Sequence, residues 1–372
     1  MKGRIVVVYG GSGSGKSQVA ENISEKLYQQ GKKEHLYYIA TMIPYGEESK
    51  QKIERHKRQR QEKDFVVKEI YYDLRQKKEF ENSVILLDCL SNLIANEWYR
   101  FLSNKEVLGQ GELEKAKREI CQKIVNELLE IREQNCDIIV VTNDIFRSVR
   151  THWEGEEDYL SCLGLINEKL VKWSDCVYQV VAGQEVCLKS QSKKNKELLQ
   201  EIQSVNDNIA LSLPSNKNSL LTQEKILVVG GEFQGKKEWA KHHWLISNEI
   251  NISNISNISN NHNVGNEMEK CGYDLYFYVD QWIHCKLEEN PFFLFEHIEI
   301  EQKLKTLWEL FETDIQVEEN SIFLMNEIGC GIVPLEKKDR IYRELSGRFM
   351  CQLAEKVDQV YQIIAGREIR LK

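Results

Sequence analysis

The sequence predicts an α/β fold: a mostly parallel sheet flanked by helices, built twice in one chain, with the second copy reduced. Three observations predict it. Apolar runs of strand length alternate with stretches of helical periodicity. A glycine-rich turn joins the first apolar run to the first helical stretch. The two halves of the chain also repeat one another.

Strand candidates in the first half lie at residues 5–9, 36–40, 84–87, 138–142 and 177–182. Runs such as Val84-Ile85-Leu86-Leu87 and Ile138-Ile139-Val140-Val141 are apolar on both faces, as parallel strands covered by helices must be. Helical patterns lie between them, the clearest over residues 112–133. The second half compresses this order. It offers strands at residues 226–229, 275–279, 322–325 and 360–364, with helical patterns between the later ones.

The repeat is clearest at the end of each half. Residues 159–189 and 342–372 align without gaps at a constant offset of about 183, with roughly 12 of 31 positions identical. Each reads as a helix, a strand, a Gly turn and a second short strand. Both halves also open alike, on Arg4-Ile5-Val6-Val7-Val8-Tyr9-Gly10-Gly11 and on Lys225-Ile226-Leu227-Val228-Val229-Gly230-Gly231. The expected organisation is therefore a first domain at 1–189, a polar linker at 190–224 rich in Lys, Asn, Ser and Gln, and a second domain at 225–372. An Asn-rich stretch at about 251–266, where Asn-Ile-Ser recurs, reads as a loop or disordered insert, because its composition buries little surface.

Bulk properties exclude several classes. The chain has 372 residues, a net charge of −8 and a pI near 5.7, so nothing draws it as a whole to nucleic acid or an anionic membrane. No stretch approaches the roughly 20 apolar residues that span a bilayer. No signal peptide is visible, and the expected location is cytoplasmic. The ten cysteines show no C-x-x-C pair and no zinc-like spacing, and read as reduced, buried thiols.

The chemistry is concentrated in a few segments. Gly10-Gly11-Ser12-Gly13-Ser14-Gly15-Lys16-Ser17 follows the first strand and opens the first helix. Its backbone N–H groups can wrap a polyphosphate, with the helix N-terminus adding partial positive charge. Lys16 would reach the β- and γ-phosphates, and Ser17 would hold Mg²⁺. The expected fold is thus of the P-loop NTPase-like (RecA-like) kind. Asp88 ends an apolar strand, where, paired with the phosphate loop, a carboxylate is expected to hold Mg²⁺ or its water; the alternative is an Asp that caps the next helix.

Residues 50–63, KQKIERHKRQRQEK, form a dense basic run containing His56. Charge alone leaves three readings open: a solvated helix face, an RNA-binding patch, or a triphosphate receiver in which neutral His56 attacks phosphorus. No interleaved aromatic platform accompanies the run, which weakens the RNA reading. Thr142-Asn143-Asp144 ends a further strand, where a side chain could sense a γ-phosphate. Its counterpart in the second half is Asn326-Glu327-Ile328-Gly329-Cys330-Gly331-Ile332-Val333-Pro334, whose glycines and proline predict an ordered loop.

Together these segments resemble the CobU-type proteins, bifunctional adenosylcobinamide kinase/adenosylcobinamide-phosphate guanylyltransferases. The resemblance rests on GGSGSGKS, Tyr38-Ile39-Ala40-Thr41, Lys52-Ile53-x-x-His56 and Leu87-Asp88-Cys89-Leu90. It rests further on the family's N-E-x-G-x-G-I-V-P, intact at 326–334 and followed by Arg340 and Gly347-Arg348. It implies two reactions. A nucleoside triphosphate, ATP or GTP, phosphorylates adenosylcobinamide. GMP from GTP is then joined to that phosphate, with release of pyrophosphate. The family's second step passes through a GMP–histidine intermediate, and His56 occupies the matching place. Thr41, Lys57, Arg60, Glu69 and Asp88 match positions near the nucleotide, and Mg²⁺ is implied at Ser17 and Asp88. The implied partners are a corrinoid substrate and further copies of the fold, either as a homo-oligomer or as a pseudo-oligomer of the two halves. No nucleic acid and no membrane span are expected.

The chain departs from the family pattern in complementary ways. The first half keeps the phosphate loop, His56 and Asp88, but lacks both glycines and the proline after Asn143-Asp144. The second half keeps the glycine hallmark, but its phosphate loop reads Gly230-Gly231-Glu232-Phe233-Gln234-Gly235-Lys236-Lys237. Lys237 replaces the metal-binding hydroxyl, and Glu232 brings a like charge toward any phosphate. Asp280 reads as the acidic end of its second strand. The expectation is that one competent site uses the first-half machinery with Asn326, Glu327, Gly329, Gly331 and Pro334 from the second. The alternatives are a first half that works alone beside a scaffold, a kinase-only enzyme, a nucleotide-binding pseudoenzyme, and an NTPase coupled to nucleic acid through residues 50–63.

Overall fold

The computed structural model describes residues 2–31, 33–61, 63–74, 79–103, 110–146, 156–190, 224–232, 234–240, 274–276, 278–315, 321–331, 333–364 and 366–372. Most of the expected linker and all of the Asn-rich stretch lie outside the described residues. The chain forms two compact units. The first holds residues 1–10, 16–180 and 185–205, and the second holds residues 11–15, 181–184 and 206–372.

The first unit carries a seven-stranded sheet among its described residues, in the order β3-β2-β4-β5-β1-β6-β7. The strands are β1 (Ile5–Gly10), β2 (His35–Ala40), β3 (Val66–Glu69), β4 (Ser83–Asp88), β5 (Asp137–Asn143), β6 (Cys176–Val181) and β7 (Gln184–Ser190). Strands β1 to β6 pair in parallel. Each interior strand sends alternate residues to opposite layers. Ile5 and Val7 join Ile85, Leu87, Ile138 and Val140 beneath α3 (Leu90–Leu102), α4 (Gln110–Glu133) and α5 (Glu156–Trp173). Val6 and Val8 join Val84, Leu86, Ile139 and Val141 against α1 (Lys16–Gly31). The one strand not expected from the sequence is β3. It is a four-residue edge strand whose Val66 and Val67 face solvent, so it has no apolar core face to give it away.

Among its described residues the second unit carries a five-stranded sheet in the order β12-β11-β8-β10-β9. Its strands are β8 (Lys225–Gly230), β9 (Asp274–Tyr276), β10 (Ser321–Asn326), β11 (Gln359–Ile364) and β12 (Arg367–Arg370). Leu227, Val229, Phe323 and Met325 face the aromatic layer of Trp282, Phe311 and Phe349, carried on α6 (Val279–Glu289), α7 (Ile300–Asp314) and α8 (Lys337–Lys356). The fold class is thus α/β, mostly parallel, and present twice with the second copy reduced. The strand expected at 275–279 is shorter than the sequence predicted. Tyr278 adopts a left-handed conformation (φ 54°) and Val279 begins α6. Asp280 therefore lies in the first turn of a helix and not at a strand end.

The repeat has a structural reason. Asp175 accepts the Ile5 N–H at 2.8 Å, and Asp358, one repeat later, accepts the Lys225 N–H at 2.7 Å. Lys189 Nζ donates to the carbonyls of Val171, Lys172 and Ser174 at 2.6–3.1 Å, closing the C-terminus of α5. Lys372 Nζ does the same for Ala354, Glu355 and Val357 at 2.6–3.1 Å at the end of α8. These shared polar identities hold the fold and carry no chemistry of their own.

Candidate functional site

The carboxyl ends of parallel strands gather the candidate residues of the first unit, as the topology of such sheets favours. Register places Ala40 opposite both Glu69 and Asp88, so Thr41, Glu69 and Asp88 emerge side by side from β2, β3 and β4. Gly10 and Asn143 face each other at the ends of β1 and β5. The chain leaves β1 through Gly13 (φ 74°) and Gly15 (φ 88°), a turn that only glycine adopts without strain. It enters α1 at Lys16, and Lys16 and Ser17 are half-buried.

The basic run up to Gln59 lies in α2 (Gly46–Gln59), whose last turn carries His56, Lys57 and Arg58, and Arg60 caps its C-terminus. From His56 a relay of contacts runs inward. Arg60 Nη1 lies 3.5 Å from His56 Nδ1 and 3.2 Å from Glu21 Oε1. The Arg60 guanidinium sits 3.6 Å from the centre of the Tyr38 ring. The Tyr38 hydroxyl donates to Asp88 Oδ2 at 2.9 Å. Lys63 Nζ closes the far side on Glu21 Oε2 at 2.6 Å. Arg60 is therefore buried, held by Glu21 and stacked on Tyr38. Lys57 pairs with Glu69 at 3.2 Å. The Tyr71 hydroxyl and Lys57 together hold the Glu69 carboxyl below its ordinary range. Thr41 is fully buried. Its hydroxyl donates to the Cys89 carbonyl at 2.7 Å and accepts the Cys89 N–H at 2.8 Å, fixing the β4–α3 corner beside Asp88. Asn143 donates to Ser91 Oγ at 2.8 Å. Sequence reasoning missed Glu21, and it quoted Tyr38 only as part of a motif, with no role of its own. Glu21 lies on α1 beside the buried Val19 and Ala20, a carboxylate on the face of the helix that packs on the sheet.

The second unit contains the other candidates. Gly230 faces Asn326 across β8 and β10, the register that Gly10 and Asn143 keep in the first unit. Asn326 is buried. Its backbone N–H and Nδ2 donate to the two oxygens of Asp280 at 2.9 and 3.1 Å, and its Oδ1 accepts from Lys236 Nζ at 2.7 Å. Glu327 Oε2 accepts from Gln362 Nε2 at 3.0 Å, and the Pro334 carbonyl accepts from Arg340 at 3.2 Å. Arg343, which sequence reasoning missed among the many charges of α8, is buried and donates to the carbonyls of both Gly329 (2.6 Å) and Gly331 (2.5 Å). Burial brings its guanidinium down to about 10. The turn at residues 11–15 also belongs to this unit. Ser12 N–H donates to the Gly329 carbonyl at 2.9 Å, and Cys351 Sγ lies 3.2 Å from the Gly13 carbonyl. A Cβ on Gly329 would stand 2.0 Å from the Ser12 carbonyl oxygen, which explains why this hallmark position is glycine.

Among the described residues no cluster of three or more His, Cys, Asp or Glu forms a metal cage, and no helix is long and apolar enough to cross a membrane. Ser17 and Asp88 offer hard oxygen donors of the kind Mg²⁺ takes alongside phosphate oxygens.

Known proteins extend this picture. The bifunctional adenosylcobalamin biosynthesis protein CobU of Escherichia coli is 23% identical over 187 residues, half of this chain and 99% of that protein. Among solved structures, the flagellar accessory protein FlaH of Methanocaldococcus jannaschii is similar over 51% of this chain and 79% of its own, with a TM-score of 0.30 and 13% identity. A KaiC-like protein of Pyrococcus horikoshii is similar over 51% and 81%, with a TM-score of 0.31 and 13% identity. The family model for cobinamide kinase / cobinamide phosphate guanyltransferase matches residues 6–188 and again 275–371, so most of the elements described above fall inside it, and the chain belongs to the CobU family.

Proposed function

We propose that this chain is a cytoplasmic enzyme of cobalamin nucleotide-loop assembly. It phosphorylates adenosylcobinamide with ATP or GTP and then transfers GMP from GTP to the adenosylcobinamide phosphate. The observation that carries this reading is the relay from His56 through Arg60 and Tyr38 to Asp88, which ties an imidazole to a strand-end carboxylate in the unit that holds Lys16 and Ser17.

In the transfer step a neutral His56 nitrogen forms a bond to the α-phosphorus of GTP, and the bond from that phosphorus to the β-phosphate oxygen breaks, releasing pyrophosphate. A phosphate oxygen of adenosylcobinamide phosphate then takes the same phosphorus and the P–N bond breaks. Splitting the exchange this way replaces one difficult displacement with two easier ones. Lys16 and the N-terminus of α1 hold the polyphosphate, and Arg60 places a positive charge beside the ring. Mg²⁺ held by Ser17 and Asp88 would neutralise charge on the phosphates. In this reading the nucleotide is handled by residues 1–189, and Asn326, Glu327, Gly329, Gly331 and Pro334 form the loop that shapes the phosphate-binding turn.

The test is incubation of the purified chain with Mg²⁺ and α-labelled GTP, beside His56→Ala. Label on the wild type alone, stable to base and lost in acid, is the expected outcome. Absence of label from both, with GTP binding intact, would reduce the reading to a kinase or a nucleotide-binding pseudoenzyme.

A further inference from the structure

The second glycine loop keeps a lysine at the phosphate-binding position, yet that lysine points into the fold. Lys236 is buried, 3% exposed. Among the described residues its ammonium donates to the carbonyls of Gly230 (3.2 Å) and Gly231 (2.6 Å) and to Asn326 Oδ1 (2.7 Å). An ammonium has three protons, and three oxygens receive them. Asn326 is gripped from the other side by Asp280. Glu327 N–H bonds to the Gly230 carbonyl at 3.0 Å, so the hallmark loop starts directly on the remnant phosphate loop. At its far end Arg343 holds the carbonyls of Gly329 and Gly331.

We propose that Lys236 and Arg343 are positioning residues, and that the second glycine loop is an internal brace for residues 326–331 and not a second nucleotide site. The lysine supplies to a side-chain amide and its own loop carbonyls what its counterpart Lys16 would supply to phosphate. The substitution of Lys237 for the metal-binding hydroxyl follows: a loop with no nucleotide to hold has no metal to hold. The brace ends on Gly329, whose carbonyl receives Ser12 N–H of the phosphate-binding turn within the same unit, so its stiffness bears on nucleotide handling.

The kinetic part of this proposal rests on the guanylyl-transfer reading; the binding and exchange parts do not. The experiment compares the full-length wild type, Lys16→Ala, Lys236→Met and Arg343→Lys. Equilibrium dialysis with Mg²⁺ and labelled GTP gives the stoichiometry, and hydrogen exchange gives the protection of the amides at 327–331. The wild type and Lys236→Met should each bind one GTP per chain, and Lys16→Ala none. In Lys236→Met and Arg343→Lys, exchange at 327–331 should quicken by about tenfold or more while β8 and β10 stay protected. Guanylyl transfer should lose roughly tenfold in kcat with the KM for GTP little changed, the signature of misplacement. Two GTP per chain, falling to one in Lys236→Met, would overturn the proposal, and so would unchanged exchange at 327–331. If Lys236→Met does not fold, Lys236→Met with Asp280→Asn removes both buried charges and is read by the same criteria. A wild type that transfers no guanylyl group would defeat the functional reading alone, leaving stoichiometry and exchange to decide this one.

Discussion

The Tyr38 hydroxyl donates to Asp88 Oδ2 at 2.9 Å, and the ring that carries it also bears the Arg60 guanidinium. Burial, then the charge of Asp88, hold this hydroxyl well above the ordinary tyrosine range, so it stays a donor throughout the working pH range. One aromatic ring thus orients a carboxylate with its edge and an arginine with its face. Tyr38→Phe keeps the face and deletes the edge contact. If Asp88 holds Mg²⁺ as proposed, losing this contact should raise the Mg²⁺ concentration needed for half-maximal nucleotide transfer by roughly tenfold, with KM for the corrinoid unchanged. A Mg²⁺ titration of both proteins measures it.

Arg60→Met should cost more stability than activity arguments alone imply. It leaves Glu21 buried with Lys63 as its remaining described cation and exposes the Tyr38 face. The expected loss is about 3 kcal/mol, read from denaturant midpoints. Arg60→Lys should recover only part of it, because an ammonium lacks the planar face that the guanidinium lays on the Tyr38 ring.

Asp280 gives the second unit a pH signature. Burial raises its carboxyl from 3.8 to about 6, against the pull of the Asn326 donors and of Lys236. Between those values the folded chain keeps a proton that the unfolded chain has released. Stability from this group is therefore greatest below 3.8, declines as pH rises toward about 6, and is level above. The span is on the order of 2 to 3 kcal/mol. Asp280→Asn should lack that decline, as denaturation at about pH 4.5 and about pH 7 would show. Equal slopes in both proteins would contradict it.

Gly329→Ala should separate folding from nucleotide handling. The added methyl meets the Ser12 backbone and not a movable side-chain tip, so the turn at 11–15 must give way. The expected result is a KM for GTP raised by about tenfold with the melting temperature lowered by only a few degrees. Gly111→Ala, where a Cβ meets nothing within 4 Å, is the matched control and should change neither.

The legible and illegible parts of this chain divide on physical grounds. Interior strands announce themselves because both faces are apolar, so β1, β4 and β5 could be placed almost to the residue. Strand β3 could not, because its exposed valines are followed by Lys68 and Glu69 and owe their conformation to pairing with β2. The types and spacing in Gly10–Ser17 and in the hallmark loop could be read directly. The direction of Lys236 could not, since the same letters serve a lysine aimed at phosphate and one turned onto its own carbonyls. Asp280 misled for a related reason: Tyr276-Phe277-Tyr278-Val279 has strand composition, but the left-handed Tyr278 turns the chain into a helix one residue before it. Arg343 was hidden by company, one cation among several on α8.

The three oxygens around Lys236 also bear on the history of the chain. A spoiled nucleotide loop is usually pictured as recoverable: restore serine at 237, neutralise Glu232, and the motif is whole again on paper. A return to nucleotide binding would further require the ammonium to leave Asn326 and two backbone carbonyls inside the fold. Under the bracing proposal, the second copy is tied to its role in the fold by the very residue that most resembles a phosphate-binding lysine.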